Sequence, residues 1–203
     1  MDHIESALVF ATNAHLAQKR KGSGIPYVTH CVEVMKKVSD YGIRDESPLC
    51  AALLHDVYED APEYTDSVKK EFGPYVDLLV EECTRAEGDD ATLAEKYSFL
   101  NSFYRKTTHS LIIKIADRFC NVMDYRNSNK DRYAAWYAMQ AYPLYGAYIM
   151  RVRSGGIVDI DNKTQNRILF DVMRLKELII KTYPNFEGMS REGVDEIVLQ
   201  RCK

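Results

Sequence analysis

A chain of 203 residues, 46% of them apolar, can bury the core of one globular domain and carry an appendage besides. Its 27 basic and 30 acidic side chains leave a net charge of −3, which excludes the broad cationic surface of a nucleic-acid binder. No apolar run approaches the ~18 residues that span a bilayer, and the opening "MDHIESALVFA" is acidic where a secretion signal is basic. The 5 cysteines (31, 50, 83, 120 and 202) form no CxxC pair. They read as reduced thiols, mostly small core residues, of a cytoplasmic protein with no membrane or nucleic-acid partner.

Helical periodicity dominates the chain. Ile4, Leu8, Ala11 and His15 recur at helical spacing and predict a first amphipathic helix. Gly22, Gly24 and Pro26 make 19–27 a loop. A second helix follows, with Val34 and Val38 on one face and Val32 and Met35 beside it. Ser47 and Pro48 read as N-cap and first residue of a third helix running to about Tyr58. Residues 65–85 suggest two shorter helices split near Gly73 and Pro74. "TLAE" (92–95) is a capping box opening the next. Residues 110–125 form a strongly apolar helix, and Pro143 kinks or splits the tyrosine-rich stretch after it. "RSGG" (153–156) marks a break. Beyond it lie an amphipathic helix over 164–183, a "PNFEG" turn and a last short helix. The expected architecture is all-α, with a domain over 1–152 and a helical appendage over 153–203. The appendage either packs on the domain or binds a second copy.

The chemistry collects at the end of the third helix, in "ALLHDVYEDA" (52–61). On a continuous helix His55 stands one turn below Glu59, and Asp56 below Asp60, so nitrogen and oxygen ligands share a wedge. The second histidine of a zincin is missing, so further ligands must come from elsewhere. His30 and Asp117 are the candidates, and with His55 and Asp56 they make an N₂O₂ set suited to a divalent transition metal with open positions. The competing readings are plain ones. His30 is a satisfied histidine, Asp117 pairs with Lys114 or Arg118, and "EDAPE" is a solvated helix end, although acids there oppose the helix dipole. His3, His15 and His109 read as ordinary solvated or satisfied histidines.

Several stretches, in order, resemble one family. "AHLAQKRKGSGIPYVTH" (14–30) resembles AHxGQxRKxxGxPYxxH, "AALLHDVYEDA" (51–61) resembles AALLHDxxEDT, and "KIADRFCNV" (114–122) resembles KLADRxxNM. "FGPYVDLLVEECTR" (72–85) is similar to FGxxVxxLVxxVTK. The pattern is that of the HD-domain phosphohydrolases, within them the hydrolase domain of the Rel/SpoT alarmone enzymes and its small stand-alone Mesh1 type. The resemblance covers about residues 5–150. It implies an HD-domain helical bundle, with His30, His55, Asp56 and Asp117 as metal ligands and Mn²⁺ as the usual ion. It implies Glu59 and Asp60 as the acids that activate water. Arg20, Lys21 and Asn121 then line the substrate site, whereas Tyr27 reads as packing.

Four positions depart from the family pattern. Cys31 replaces a proline, Tyr58 a small aliphatic, Ala61 a threonine and Cys120 a histidine. Tyr58, bulky and next to Glu59, is expected to reshape the pocket or stack on a base. The implied activity is removal of the 3′-pyrophosphate from guanosine bispolyphosphates, leaving GDP or GTP. The same site could instead serve another phosphorylated nucleotide: NADPH at its 2′-phosphate, adenosine alarmones, or dNTPs. A reading of another class is a non-catalytic nucleotide-sensing or assembly module. The expected partners are a small-molecule nucleotide and, as an option left open, a second copy of the chain in a homo-oligomer.

Overall fold

The computed structural model describes residues 2–21, 23–86, 92–155, 157 and 160–183. Among them the protein is all-α. The helices are α1 (His3–Ala14), α2 (Val28–Tyr41), α3 (Glu46–Leu54), α4 (Val57–Asp60), α5 (Thr65–Cys83), α6 (Leu93–Ser102), α7 (Thr108–Asn127), α8 (Asp131–Gln140), α9 (Tyr142–Arg153) and α10 (Asn162–Thr182). The "PNFEG" turn, the last short helix and Cys202 lie outside the described residues. Cys31, Cys50 and Cys83 are buried, Cys120 is half-buried, and all four are free thiols.

α7 forms the axis of the bundle. Leu111, Ile112, Ile113, Ile115 and Ala116 are fully buried, so this half of the helix meets packed protein on most sides, while Lys114 and Asp117 of the same helix line a polar cavity. The Thr107 hydroxyl caps it by accepting from the Ser110 N–H at 3.2 Å. α2, α3, α5, α8, α9 and α10 all pack against it. α1 lies on α3 through Ala7 and Ala11, while Leu8 sits at the edge of that face, 38% exposed. The capping box at Thr92 and Glu95 opens α6 as expected. Within α5, Gly73 takes φ 84°, ψ 171°, and the helix restarts at Pro74. The break between α8 and α9 falls at Ala141, which leaves Pro143 in the tolerant first turn of α9.

Two expectations for α3 need correction. Its N-cap is Asp45, with extended backbone (φ −65°, ψ 135°), so Ser47 and Pro48 lie inside the first turn. The helix also does not run through to Tyr58. Asp56 adopts φ −107°, ψ 0°, in the sparsely allowed region between helix and strand, and α4 starts afresh at Val57. The apolar pattern runs straight across this break, which is why periodicity missed it. The turn swings His55 and Asp56 toward the bundle axis instead of leaving them on a helix surface.

α10 docks lengthwise on α2, α7, α8 and α9. Ile168, Val172, Leu175 and Ile179 are fully buried along its inner face. The buried Asp171 carboxylate pairs with Lys37 of α2. Gly42 ends α2 in the left-handed region (φ 119°) and lies directly against Thr164 of α10.

Candidate active site

The loop between α1 and α2 folds back on itself. The Arg20 N–H donates to the Ile25 carbonyl at 2.9 Å, the Gly24 N–H to the Arg20 carbonyl at 2.9 Å, and the Tyr27 N–H to the Gln18 carbonyl at 2.9 Å. Gly24 supplies the positive φ (77°) this clasp requires. The clasp turns Arg20 inward, where it is only 5% exposed and pairs with Asp124 of α7 at 3.2 Å. Lys21, next in sequence, stays exposed at the cavity mouth.

His30 (α2), His55 and Asp56 (the α3–α4 turn) and Asp117 (α7) converge. His30 Nε2 lies 3.1 Å from Asp117 Oδ1 and 3.8 Å from Asp56 Oδ2. His55 Nε2 lies 3.0 Å from Asp56 Oδ2 and 3.9 Å from Asp117 Oδ1. One ligand atom each from His30, His55 and Asp56 falls within 4.8 Å of the others. His55 Nδ1 donates to the Ala52 carbonyl at 2.9 Å, which fixes its proton there and turns the Nε2 lone pair inward. That Nε2 is buried without a hydrogen-bond partner and faces carboxylate oxygens. A lone pair pressed against carboxylates is stable only with a proton or a cation between them, so the residues fit a divalent ion.

The electrostatics follow from burial and charge. Burial alone would lower the His55 pKa, but the Asp56 and Asp117 carboxylates outweigh it and push it up to about 10. Burial lowers that of His30. Asp56 and Asp117 are held well below the usual carboxylate range despite burial, Asp56 chiefly by His55 and Asp117 chiefly by Lys114. Lys114 Nζ sits 3.1 Å from Asp117 Oδ2 and 3.9 Å from Asp56 Oδ1. The Asn121 amide donates to Asp117 Oδ1 at 2.5 Å from one turn along α7.

Tyr27 departs from its expected packing role. Its hydroxyl donates to Asp56 Oδ2 at 2.5 Å. Burial and Asp56 raise its pKa far above the ordinary phenol value, so it remains a donor. The ring also touches His15 and His30, with centroids 5.0 and 5.5 Å away. His15 is itself buried, its Nδ1 2.9 Å from Gln18 Oε1 and 3.6 Å from Asp60 Oδ2. The two acids diverge. Glu59 accepts from the Arg85 backbone N–H at 2.9 Å and from its guanidinium at 2.8 Å, while Asp60 turns toward His15.

Tyr58 is a correction. It projects to the other side of α4, where its hydroxyl donates to Asp77 Oδ1 at 2.7 Å and lies 3.3 Å from the Thr65 carbonyl oxygen. It is absent from the cavity wall because the break at Asp56 rotates α4 so that Glu59 and Asp60 face the cavity and Tyr58 faces α5. The cavity has a volume of about 690 Å³, the size of a nucleotide site. Its lining includes Asp56, Asp117 and Lys114, the basic Arg20 and Lys21, and Tyr133, Trp136 and Tyr137 of α8. The sequence marked those aromatics only as a rich stretch. Lys114 and Arg118 entered only as partners for Asp117, and Arg85 only as the last residue of the 72–85 stretch, with no role attached.

Residues 7–144 match the HD domain family. The chain is 35% identical over 132 residues to a GTP pyrophosphokinase of Streptomyces antibioticus, covering 64% of this chain and 16% of that protein. It is 34% identical over 123 residues to the guanosine-3′,5′-bis(diphosphate) 3′-pyrophosphohydrolase of Aquifex aeolicus, covering 60% and 17%. The chain thus spans about a sixth of the length of these curated relatives. It is 34% identical over 142 residues to the guanosine-3′,5′-bis(diphosphate) 3′-pyrophosphohydrolase MESH1 of Drosophila melanogaster, covering 64% of this chain and 77% of that one. A solved structure of a metazoan ortholog of SpoT that hydrolyzes ppGpp superposes with a TM-score of 0.69 at 25% identity, covering 88% of this chain and 97% of that one.

Proposed function

The chain belongs to the HD-domain family, and on that premise we propose that it is a metal-dependent hydrolase of guanosine bispolyphosphates. It would release the 3′-pyrophosphate and leave GDP or GTP. The observation that carries the reading is the convergence of His30, His55, Asp56 and Asp117 beside a nucleotide-sized cavity, where the two histidines are buried behind Asp56 and Asp117, which line it together with Glu59 and Asp60. The relatives named for this reaction add weight.

His30, His55, Asp56 and Asp117 would hold the divalent cation, and Mn²⁺ suits their mixed imidazole and carboxylate set. Once bound, the cation supplies Lewis acidity that makes water easier to deprotonate and draws charge from the phosphorus under attack. The protein's own groups do the rest. Tyr27 and Asn121 fix the orientations of Asp56 and Asp117. Glu59 and Asp60, both in the cavity wall, are the carboxylates that can accept the proton from water. Glu59 holds Arg85 at the rim, and Arg20, Lys21 and Lys114 meet phosphate oxygens. The water oxygen bonds to the 3′ phosphorus, the bond from the 3′ oxygen to phosphorus breaks, and the 3′ oxygen leaves carrying the proton that the carboxylate took from water. With Tyr58 outside the cavity, the departure that favoured a different nucleotide no longer bears on substrate choice.

The test uses metal-stripped protein with Mn²⁺, offered ppGpp, pppGpp, ppApp, NADPH and dNTPs separately, with products separated by ion exchange. Pyrophosphate is expected from ppGpp only when metal is added. Turnover confined to a different nucleotide, or none at all, would overturn the reading.

A further inference from the structure

Three basic side chains in the cavity wall are buried, Arg20, Lys114 and Arg118, at 5%, 6% and 7% exposure. Two are neutralised, Arg20 by Asp124 at 3.2 Å and Lys114 by Asp117 at 3.1 Å. No carboxylate of the described residues pairs with Arg118. Its guanidinium lies over the Tyr137 ring, 3.8 Å from the centroid, and its Nε and Nη1 have no hydrogen-bond partner. Two other side chains lining the cavity, both on the helix that carries Tyr137, are in the same condition. The Gln140 amide nitrogen, on a side chain 6% exposed, and the Trp136 indole nitrogen are both buried and unpartnered. Trp136 and Gln140 stand one turn apart on α8, on either side of Tyr137 in sequence.

Each of these atoms is a donor. A buried cation with no carboxylate paired to it lacks an anion, and the face of an aromatic ring relieves that need only in part. A guanidinium fork suits the paired oxygens of a phosphate. A neutral base carbonyl would satisfy the N–H groups and leave the charge uncompensated. The helix also separates this group from the metal ligands. Successive residues on α7 point about 100° apart, so Asp117 faces His30 of α2 while Arg118 faces α8.

We propose that Arg118, with Trp136 and Gln140, forms a second phosphate subsite in the cavity, which takes the 5′-polyphosphate of the nucleotide whose 3′-pyrophosphate is hydrolysed. The 5′ assignment rests on the function proposed above, whereas the phosphate subsite itself does not. The substrate is then held at both of its charged ends, and a nucleoside with phosphate at one end only loses half of its anchorage.

The test is calorimetric binding of GDP and of guanosine to the full-length protein in chelator, where no turnover occurs. Wild type is expected to bind GDP, and Arg118→Gln to weaken it by roughly 30-fold with guanosine unchanged. Arg118→Lys should restore part of the loss, and Trp136→Phe, which keeps a ring and removes the N–H, should weaken GDP by about 5-fold. Mn²⁺ affinity should be unaltered in all three, which separates the subsite from the metal cluster. Equal GDP affinity in wild type and Arg118→Gln would overturn the proposal, as would no GDP binding by wild type. An equal loss of guanosine binding would make Arg118 a reader of the base and overturn it too. If Arg118→Gln does not fold, Arg118→Lys and Trp136→Phe carry the same comparison. Failure of ppGpp turnover alongside Arg118-dependent GDP binding would sink the proposed reaction and leave the subsite standing.

Discussion

Replacing Tyr27 by phenylalanine removes one hydroxyl and keeps the ring that touches His15 and His30. The lost bond is short, 2.5 Å, and joins a buried phenol to a buried carboxylate. Hydrogen bonds to charged groups contribute about 1.5–3 kcal/mol. For a chain of this length each kcal/mol moves the melting temperature by about 2–4 °C. The metal-free variant should therefore melt roughly 3–12 °C below wild type in chelator. With the cation, the argument concerns orientation, since Asp56 loses the group that fixes its carboxylate plane. Loss of such a supporting hydrogen bond typically costs 10- to 100-fold in metal affinity, or about 1.4–2.7 kcal/mol. Differential scanning calorimetry in chelator measures the first quantity, and Mn²⁺ titration of stripped protein the second. Melting within about 1 °C of wild type together with an unchanged Mn²⁺ Kd would refute the reasoning, because Tyr27 would then be mere packing, as its sequence context implies.

Three further outcomes follow from the same geometry. In metal-free protein His55 carries its proton at pH 7, its pKa lying near 10. Mn²⁺ binding should release about one proton, and affinity should rise about tenfold per pH unit between pH 6 and 8, checked by calorimetry in buffers of differing ionisation enthalpy. In chelator the sign reverses, since the raised pKa gives stability that is complete below pH 6.5 and fades as pH climbs toward 10. Tyr58→Phe should leave the KM for ppGpp within twofold of wild type while costing about 1 kcal/mol of stability, because the hydroxyl serves Asp77 and the cavity never meets it. Gly42→Ala places a Cβ 2.5 Å from Thr164 Oγ1 at φ +119° and should cost about 2 kcal/mol or more, read as a fall in melting temperature.

What could be read from the sequence was whatever is encoded locally. The capping box at Thr92, the interruption at Gly73 and Pro74 and the apolar run of α7 all express backbone preferences within a few residues, and each appears as expected. The four proposed ligand positions, His30, His55, Asp56 and Asp117, were legible because family motifs carry them, and the structure brings them together. The break at His55 and Asp56 was not, because Ala52, Leu53, Leu54 and Val57 continue an apolar pattern across a turn made by tertiary packing. Nor were pairings that join distant segments. Tyr27 meets Asp56 across 29 residues, and Arg85 meets Glu59 across 26. No periodicity reports such contacts. The tyrosine-rich stretch shows the same limit, since its composition does not separate Tyr145 and Tyr148, fully buried in the core, from Tyr133 and Tyr137 in the cavity wall.

α10 contributes no side chain to the cavity, yet it packs along the helices that carry His30, Asp117 and Tyr137. It is the keel of the assembly, and the ligand-bearing helices keep their spacing because they are bolted to it at Asp171, Val172 and Leu175. A random screen for inactive variants would therefore recover many lesions along this helix. Without the structure, such lesions would be mistaken for a second catalytic segment.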